Sequence, residues 1–126
     1  MAITVIPCSQ HFCAEVGDID LSEPLAPDDL AAVREVFKTY AVLVFPGQDL
    51  TIEQHMAFGA NFGPLEKTVR AVFHGEKLRV RAEIADIANL DGDGKIWGAD
   101  SRFRQFQMGN RLWHTDSSFK APSAYA

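Results

Sequence analysis

The segment Asn110-Arg-Leu-Trp-His114-Thr-Asp116-Ser-Ser-Phe119 places an imidazole and a carboxylate one residue apart. Residues two apart on a β-strand project from one face, so His114 and Asp116 on a strand would offer a metal ion two cis ligands. The bare pattern is weak. With 4 histidines and 17 acids in 126 residues, about half of one His-x-acid match arises by chance. Taken alone, it reads more simply as a His and an Asp on an exposed strand face.

A rival constellation runs from Asn89 to Asp100, with Asn89, Asp91 and Asp93 at positions 1, 3 and 5, Gly94 at 6 and Asp100 at 12. That is calcium-loop spacing, and it makes a calcium-binding module one alternative reading. Its first ligand is uncharged, its twelfth is the shorter acid, and no clear helix precedes it. A tight Asp-Gly turn satisfies the same residues.

Other reactive side chains give less. Cys8 and Cys13 have four residues between them and could close a small loop or ligate a metal with His11; they read more simply as reduced thiols. His55 falls mid-helix toward solvent, and His11 and His74 lie in poorly patterned stretches. Gly92-Asp-Gly94-Lys95 lacks phosphate-loop spacing, no serine sits in Gly-x-Ser-x-Gly, and nucleophilic catalysis is unsupported.

Composition narrows the classes further. A net charge of −5 argues against a nucleic-acid binder, since phosphate contacts need uncompensated Lys and Arg. The longest apolar run, Tyr40 to Phe45, is too short to span a bilayer, and Met1 to Pro7 has no signal-peptide pattern, so a cytoplasmic protein of one domain is expected. Charge is uneven: Glu15 to Glu35 holds seven acids and only Arg34, whereas Ser101 to Thr115 holds Arg102, Arg104 and Arg111 and no carboxylate. These are two solvated faces, or else the second is a positive region suited to an anionic ligand.

Several elements must position these groups. Ile3 to Ile6 reads as a short strand. Pro27, Asp28 and Asp29 open a helix to about Lys38 with Leu30, Val33, Val36 and Phe37 on one face. Tyr40 to Phe45 predicts a buried strand stopped by Pro46-Gly47, and Thr51 with Gln54 predicts a capping box opening a helix from Ile52 to about Asn61. Arg79 to Ile87 reads as a strand, Asn89 to Gly94 as a turn, Ser101 to Gly109 as loop and Leu112 to Phe119 as a strand.

Taken together, four blocks resemble the taurine dioxygenase/2,4-dichlorophenoxyacetate dioxygenase family. They are Gly17-Asp-Ile-Asp-Leu21 with Pro24-Leu25, Ala41-Val-Leu-Val-Phe45 followed by Gln48, Ala60-Asn-Phe-Gly-Pro-Leu65, and Leu112-Trp-His-Thr-Asp-Ser-Ser-Phe119. They follow the family's order across nearly the whole chain. Phe62-Gly-Pro-Leu-Glu66 and Asp93-Gly-Lys95 bring the likeness nearer to the dichlorophenoxyacetate branch.

The resemblance implies a mixed α/β fold, the N-terminal part of a double-stranded β-helix (jelly-roll) with two flanking helices. It implies Fe(II) held by His114, Asp116 and a distal His, with 2-oxoglutarate and dioxygen used to hydroxylate a small organic anion, such as an aryloxyacetate. Two imidazoles and a carboxylate on one face of iron leave open positions for the keto acid and dioxygen. Asn110 matches a substrate-contacting asparagine and Ser117 a position lining the substrate site, while Lys95 is a weaker candidate to meet an anion. The family's distal His, its 2-oxoglutarate-binding Arg and a Thr lie beyond the His-x-Asp and have no counterpart up to Ala126. The expectation is therefore an N-terminal portion, residues 1–126, inactive alone, with uncovered strand edges that favour a homo-oligomer. A non-catalytic structural domain is the remaining alternative.

Overall fold

The computed structural model describes residues 3–68, 78–115 and 121, with Phe106 and Asn110 by backbone alone. The chain divides into two compact units, Met1–Gly63 and Pro64–Ala126.

The first unit is built on a three-stranded sheet in the order β1 (Thr4–Pro7), β2 (Cys13–Gly17), β3 (Val42–Val44). β1 and β2 form an antiparallel hairpin with Val5 opposite Val16, and β3 runs parallel to β2 with Leu43 opposite Ala14. The central β2 does not stand out in the sequence because its apolar alternation consists of Ala14 and Val16 alone. Both are fully buried, and with Leu21 and Val33 they are the buried apolar residues among those described.

The crossover from β2 to β3 contains α1 (Pro27–Thr39), which has Pro at its start, Asp28 and Asp29 in its first turn and Lys38 in its last. All three features suit a helix dipole and its orphan end groups. Val33 is buried and Leu30, Val36 and Phe37 are half-buried, as their spacing predicts, with Asp29 and Ala32 also half-covered. The helix gives way at Tyr40, whose extended backbone leads into β3.

β3 is shorter and less covered than expected. Leu43 is half-buried, but Val42 and Val44 remain 40% and 41% exposed. The apolar run Tyr40 to Phe45 suggests burial on both faces, whereas alternation on an edge strand covers only one face here.

Pro46 and Gly47 then reverse the chain, with Gly47 at φ 71°, where a side chain would strain the backbone. α2 (Ile52–Gly59) opens with the expected capping box: Thr51 Oγ accepts from the Gln54 amide and Gln54 Oε1 accepts from the Thr51 amide. It continues as a 3₁₀ turn, Ala60–Phe62, before Gly63. Edge-to-face ring contacts join Phe45 to Phe58 at 5.3 Å, Phe58 to Phe62 at 5.4 Å and Phe37 to Phe62 at 6.1 Å. This aromatic chain ties the end of β3 to both helices. Arg34 adds a hydrogen bond to the Asn61 carbonyl.

Two glutamines fasten the loop after β2. Gln48 donates to the Ile19 carbonyl at 3.0 Å and accepts from the Leu21 amide at 2.9 Å, and Gln54 donates to the Ser22 carbonyl at 3.1 Å. Buried polar groups of a loop need such partners when no strand supplies them. Asp18, at φ 55°, accepts a hydrogen bond from the Thr4 hydroxyl, a left-handed position that Asp tolerates better than most residues.

In the second unit, two expected elements differ. Arg79 to Ile87 is not a strand, because Arg79 grips Asp86 with a two-pronged ion pair at 2.8 and 2.7 Å. Seven residues of extended chain would separate their backbones by about 23 Å, so this pair requires the segment to fold back. Ser101 to Gly109 is not loop but α3 (Arg102–Gln107) followed by a 3₁₀ turn, Met108–Arg111. Its Arg and Gln residues are good helix formers, uninterrupted by Gly or Pro until Gly109. No helix among the described residues is long and apolar enough to cross a membrane.

Candidate functional site

The second unit leads toward His114 through a compact series of turns. Leu90 and Ile96 form an isolated antiparallel bridge, and the Trp97 amide donates to the Asn89 carbonyl at 3.0 Å. Between them Asp91 closes the reversal. Its amide donates to the Lys95 carbonyl at 2.8 Å, and its Oδ1 accepts from the Asp93 and Lys95 amides, each at 2.9 Å. These backbone donors, the Lys95 amide foremost, hold the Asp91 carboxyl below the usual carboxylate range.

Asn89 to Asp100 thus forms the tight Asp-Gly turn that the sequence also allowed. The Asp91 carboxylate is turned onto the amides of its own turn, and no helix enters from residues 78–88, so the helix pair that flanks a calcium loop is lacking on the entering side. Among the described residues, no group of three or more His, Cys, Asp or Glu side chains is arranged to hold a metal ion. Lys95 is exposed, as a turn lysine would be.

Beyond the turn, Trp97 stacks on Phe103 with ring centroids 5.5 Å apart, setting α3 against the bridge. Arg102 and Arg104 lie exposed on that helix. The 3₁₀ turn carrying Asn110 ends as the Leu112 amide donates to the Gly109 carbonyl, and Leu112 enters extended backbone at φ −94°, ψ 151°.

His114 follows with its side chain exposed and its Nδ1 2.8 Å from the Leu112 carbonyl oxygen. A carbonyl can only accept, so Nδ1 carries the proton and the lone pair of the neutral ring resides on Nε2. With Nδ1 donating to a backbone carbonyl, Nε2 is the ring nitrogen suited to ligate a metal. The donor chemistry at His114 therefore fits a divalent first-row metal.

The other sequence-derived site residues are less fully placed. Asn110 belongs to the 3₁₀ turn Met108–Arg111, whereas Asp116 and Ser117 lie outside the described residues. The expected Leu112 to Phe119 strand is not formed over Leu112 to Thr115, where no residue joins a ladder; the remainder lies outside the described residues. His55 is exposed on α2 and His11 is exposed in the β1–β2 loop, while His74 lies outside the described residues. The Arg79–Asp86 pair carries no signal in a sequence that alternates like a strand.

The order of these elements has a counterpart in known proteins. Residues 4–125 match the family described as "Taurine catabolism dioxygenase TauD, TfdA family". The chain belongs to this family. Within it, the chain is 40% identical over 124 residues to the alpha-ketoglutarate-dependent 2,4-dichlorophenoxyacetate dioxygenase of Cupriavidus pinatubonensis, covering 98% of this chain and 43% of that protein. It is 31% identical over 120 residues to the (S)-phenoxypropionate/alpha-ketoglutarate-dioxygenase of Sphingobium herbicidovorans, covering 94% and 36% respectively. The structure of AAD-2 in complex with Mn(II) and N-oxalylglycine superposes with a TM-score of 0.81 at 41% identity, over 95% of this chain and 42% of that one. The chain thus spans less than half the length of these relatives. Its small sheet with flanking helices is similar to the corresponding part of the family fold.

Proposed function

We propose that residues 1–126 supply the amino-terminal portion of a cytoplasmic Fe(II)/2-oxoglutarate-dependent dioxygenase with a jelly-roll core, acting on a small aryloxy carboxylate. The 40% identity to a 2,4-dichlorophenoxyacetate dioxygenase across 98% of this chain carries the reading. The phenoxypropionate-acting relative supports the same substrate class.

In this proposal His114 and Asp116 are two protein ligands of Fe(II). The contact of His114 Nδ1 with the Leu112 carbonyl supports that role, because a ligating imidazole is commonly oriented by a backbone carbonyl at its other nitrogen. When bound, the iron would supply the oxidative chemistry with 2-oxoglutarate and dioxygen. This chain's own residues bind and orient: Asn110 and Ser117 contact the substrate, and the carboxylate-free segment with Arg102, Arg104 and Arg111 favours the approach of an anion. Self-association belongs to the same proposal, since among the described residues β3 is a sheet edge with Val42 and Val44 exposed.

The protein expressed from its gene, supplied with Fe(II), 2-oxoglutarate and 2,4-dichlorophenoxyacetate, is expected to release succinate in step with loss of the aryloxy acid. Absence of succinate with a panel of aryloxy and other small carboxylates would overturn the reading. Calorimetry adds a second arm: tight calcium binding abolished by Asp91→Asn and indifferent to His114→Ala would favour the calcium module.

A further inference from the structure

We propose that Cys8 and Cys13 form a reversible disulfide across the β1–β2 hairpin, a redox modification site separate from the dioxygenase reading. The register of the hairpin carries the idea. Pro7 is opposite Ala14, so the next facing pair is Cys8 and Cys13, and the Cys8 amide donates to the Cys13 carbonyl at 2.9 Å. Directly opposed residues of an antiparallel pair project from the same face with Cβ atoms about 4.5–5.5 Å apart. A disulfide needs about 3.5–4.5 Å, within reach of a modest local twist.

The loop holds the pair in place without needing the sulfur bridge. Ser9 Oγ accepts from the Phe12 amide at 3.0 Å and from the Cys13 amide at 2.8 Å, and the Ser9 amide donates to the Cys13 carbonyl at 3.1 Å. Both cysteines are reduced, Cys8 exposed and Cys13 half-buried. Burial pushes the Cys13 thiol up, and the nearby Cys8 thiol and Glu15 carboxylate push the same way. The Cys8 thiol donates weakly to the Ile6 carbonyl at 3.8 Å, and the exposed Cys8 is the sulfur open to an external reagent.

The oxidant is a low-molecular-weight disulfide such as oxidised glutathione. Cys8 loses its proton and its thiolate attacks one glutathione sulfur, breaking the S–S bond and releasing one glutathione thiolate with the bonding pair. Cys13 then loses its proton, attacks Sγ of Cys8 and expels the second glutathione thiolate. Two protein thiols give up two protons and two electrons, and the external disulfide becomes two thiols. Exposed disulfides of this sort belong to the labile class, so excess thiol would reverse the reaction. The bond would fasten β1 to the central strand whose Ala14 and Val16 fill the core.

The test treats the whole chain with oxidised glutathione, then counts thiols after denaturation and records the intact mass. The expected result is loss of both titratable thiols, a mass lower by two hydrogens, a monomer on a non-reducing gel and full recovery with dithiothreitol. Cys8→Ser and Cys13→Ser should each instead retain a glutathione adduct on the remaining sulfur. Wild-type protein that keeps both thiols, carries two glutathione adducts or forms only an interchain dimer would overturn the proposal, whatever the folding of the variants.

Discussion

His114 Nδ1 lies 2.8 Å from the carbonyl oxygen of Leu112, two residues earlier in the chain. A local backbone acceptor thus sets the imidazole's tautomer before any distant element contributes. The bond depends on Leu112 leaving the 3₁₀ turn in extended conformation, which links the α3 segment to the chemistry of the ring.

In the gene product, His114→Ala and Asp116→Ala are each expected to abolish turnover and to weaken Fe(II) or Mn(II) binding measured by calorimetry. Loss of one protein ligand leaves the metal weakly held. Asn110→Ala should chiefly raise KM with little change in kcat, because it would remove a contact made equally in ground and transition states. Normal 2-oxoglutarate decarboxylation by Asp116→Ala would refute the metal assignment.

Arg102 and Arg104 stand exposed on α3 in a stretch without carboxylates. If they gather an anionic substrate, Arg102→Glu and Arg104→Glu should raise KM severalfold at low salt and much less at high salt, since exposed charges separated by more than about 10 Å are screened at 0.1 M. Steady-state kinetics at two ionic strengths decide it. Salt-independent KM values in both variants would leave the arginines as a solvated face.

Gln48 joins Ile19 and Leu21 to the turn after β3 through one acceptor and one donor bond. Gln48→Ala should lower stability by about 1–3 kcal/mol, because the Leu21 amide and Ile19 carbonyl lose their partners in a partly buried place. Thr51→Ala, which removes half of the capping box, should cost about 1 kcal/mol. Urea unfolding followed by circular dichroism measures both; a Gln48→Ala midpoint equal to wild type would mean that the loop is held by its apolar contacts alone.

The Asp91 carboxyl is held below its ordinary value by the amides of its turn. A depressed folded-state value means that its stabilisation is fully present above the unfolded-chain value and is lost as pH falls through the folded one, a window at and below about pH 4. Asp91→Asn should therefore be less stable than wild type at neutral pH, the two converging in strong acid. Fluorescence of Trp97, whose amide closes the same reversal, reports the transition. A stability difference unchanged from pH 7 to pH 2 would exclude the charged carboxylate as its origin.

Local rules settled much of the first unit. The spacing of Leu30, Val33, Val36 and Phe37, the acids opening α1, and the Thr51–Gln54 capping box depend on residues within a few turns of one another. The ordered blocks from Gly17 to Phe119 likewise made the family legible without coordinates, and the tautomer of His114 follows from a neighbour two residues away. Non-local pairing decided the rest. β2 becomes a central strand because β1 and β3 pair with it, although its own sequence carries only two apolar positions on one face. The alternation from Arg79 to Ile87 is overridden by a charge pair that folds the segment back, and Val42 and Val44 are exposed because no strand or helix covers that side of β3 among the described residues. Sequence periodicity records which side chains share a face; what meets that face depends on partners distant in sequence, which only tertiary structure brings together.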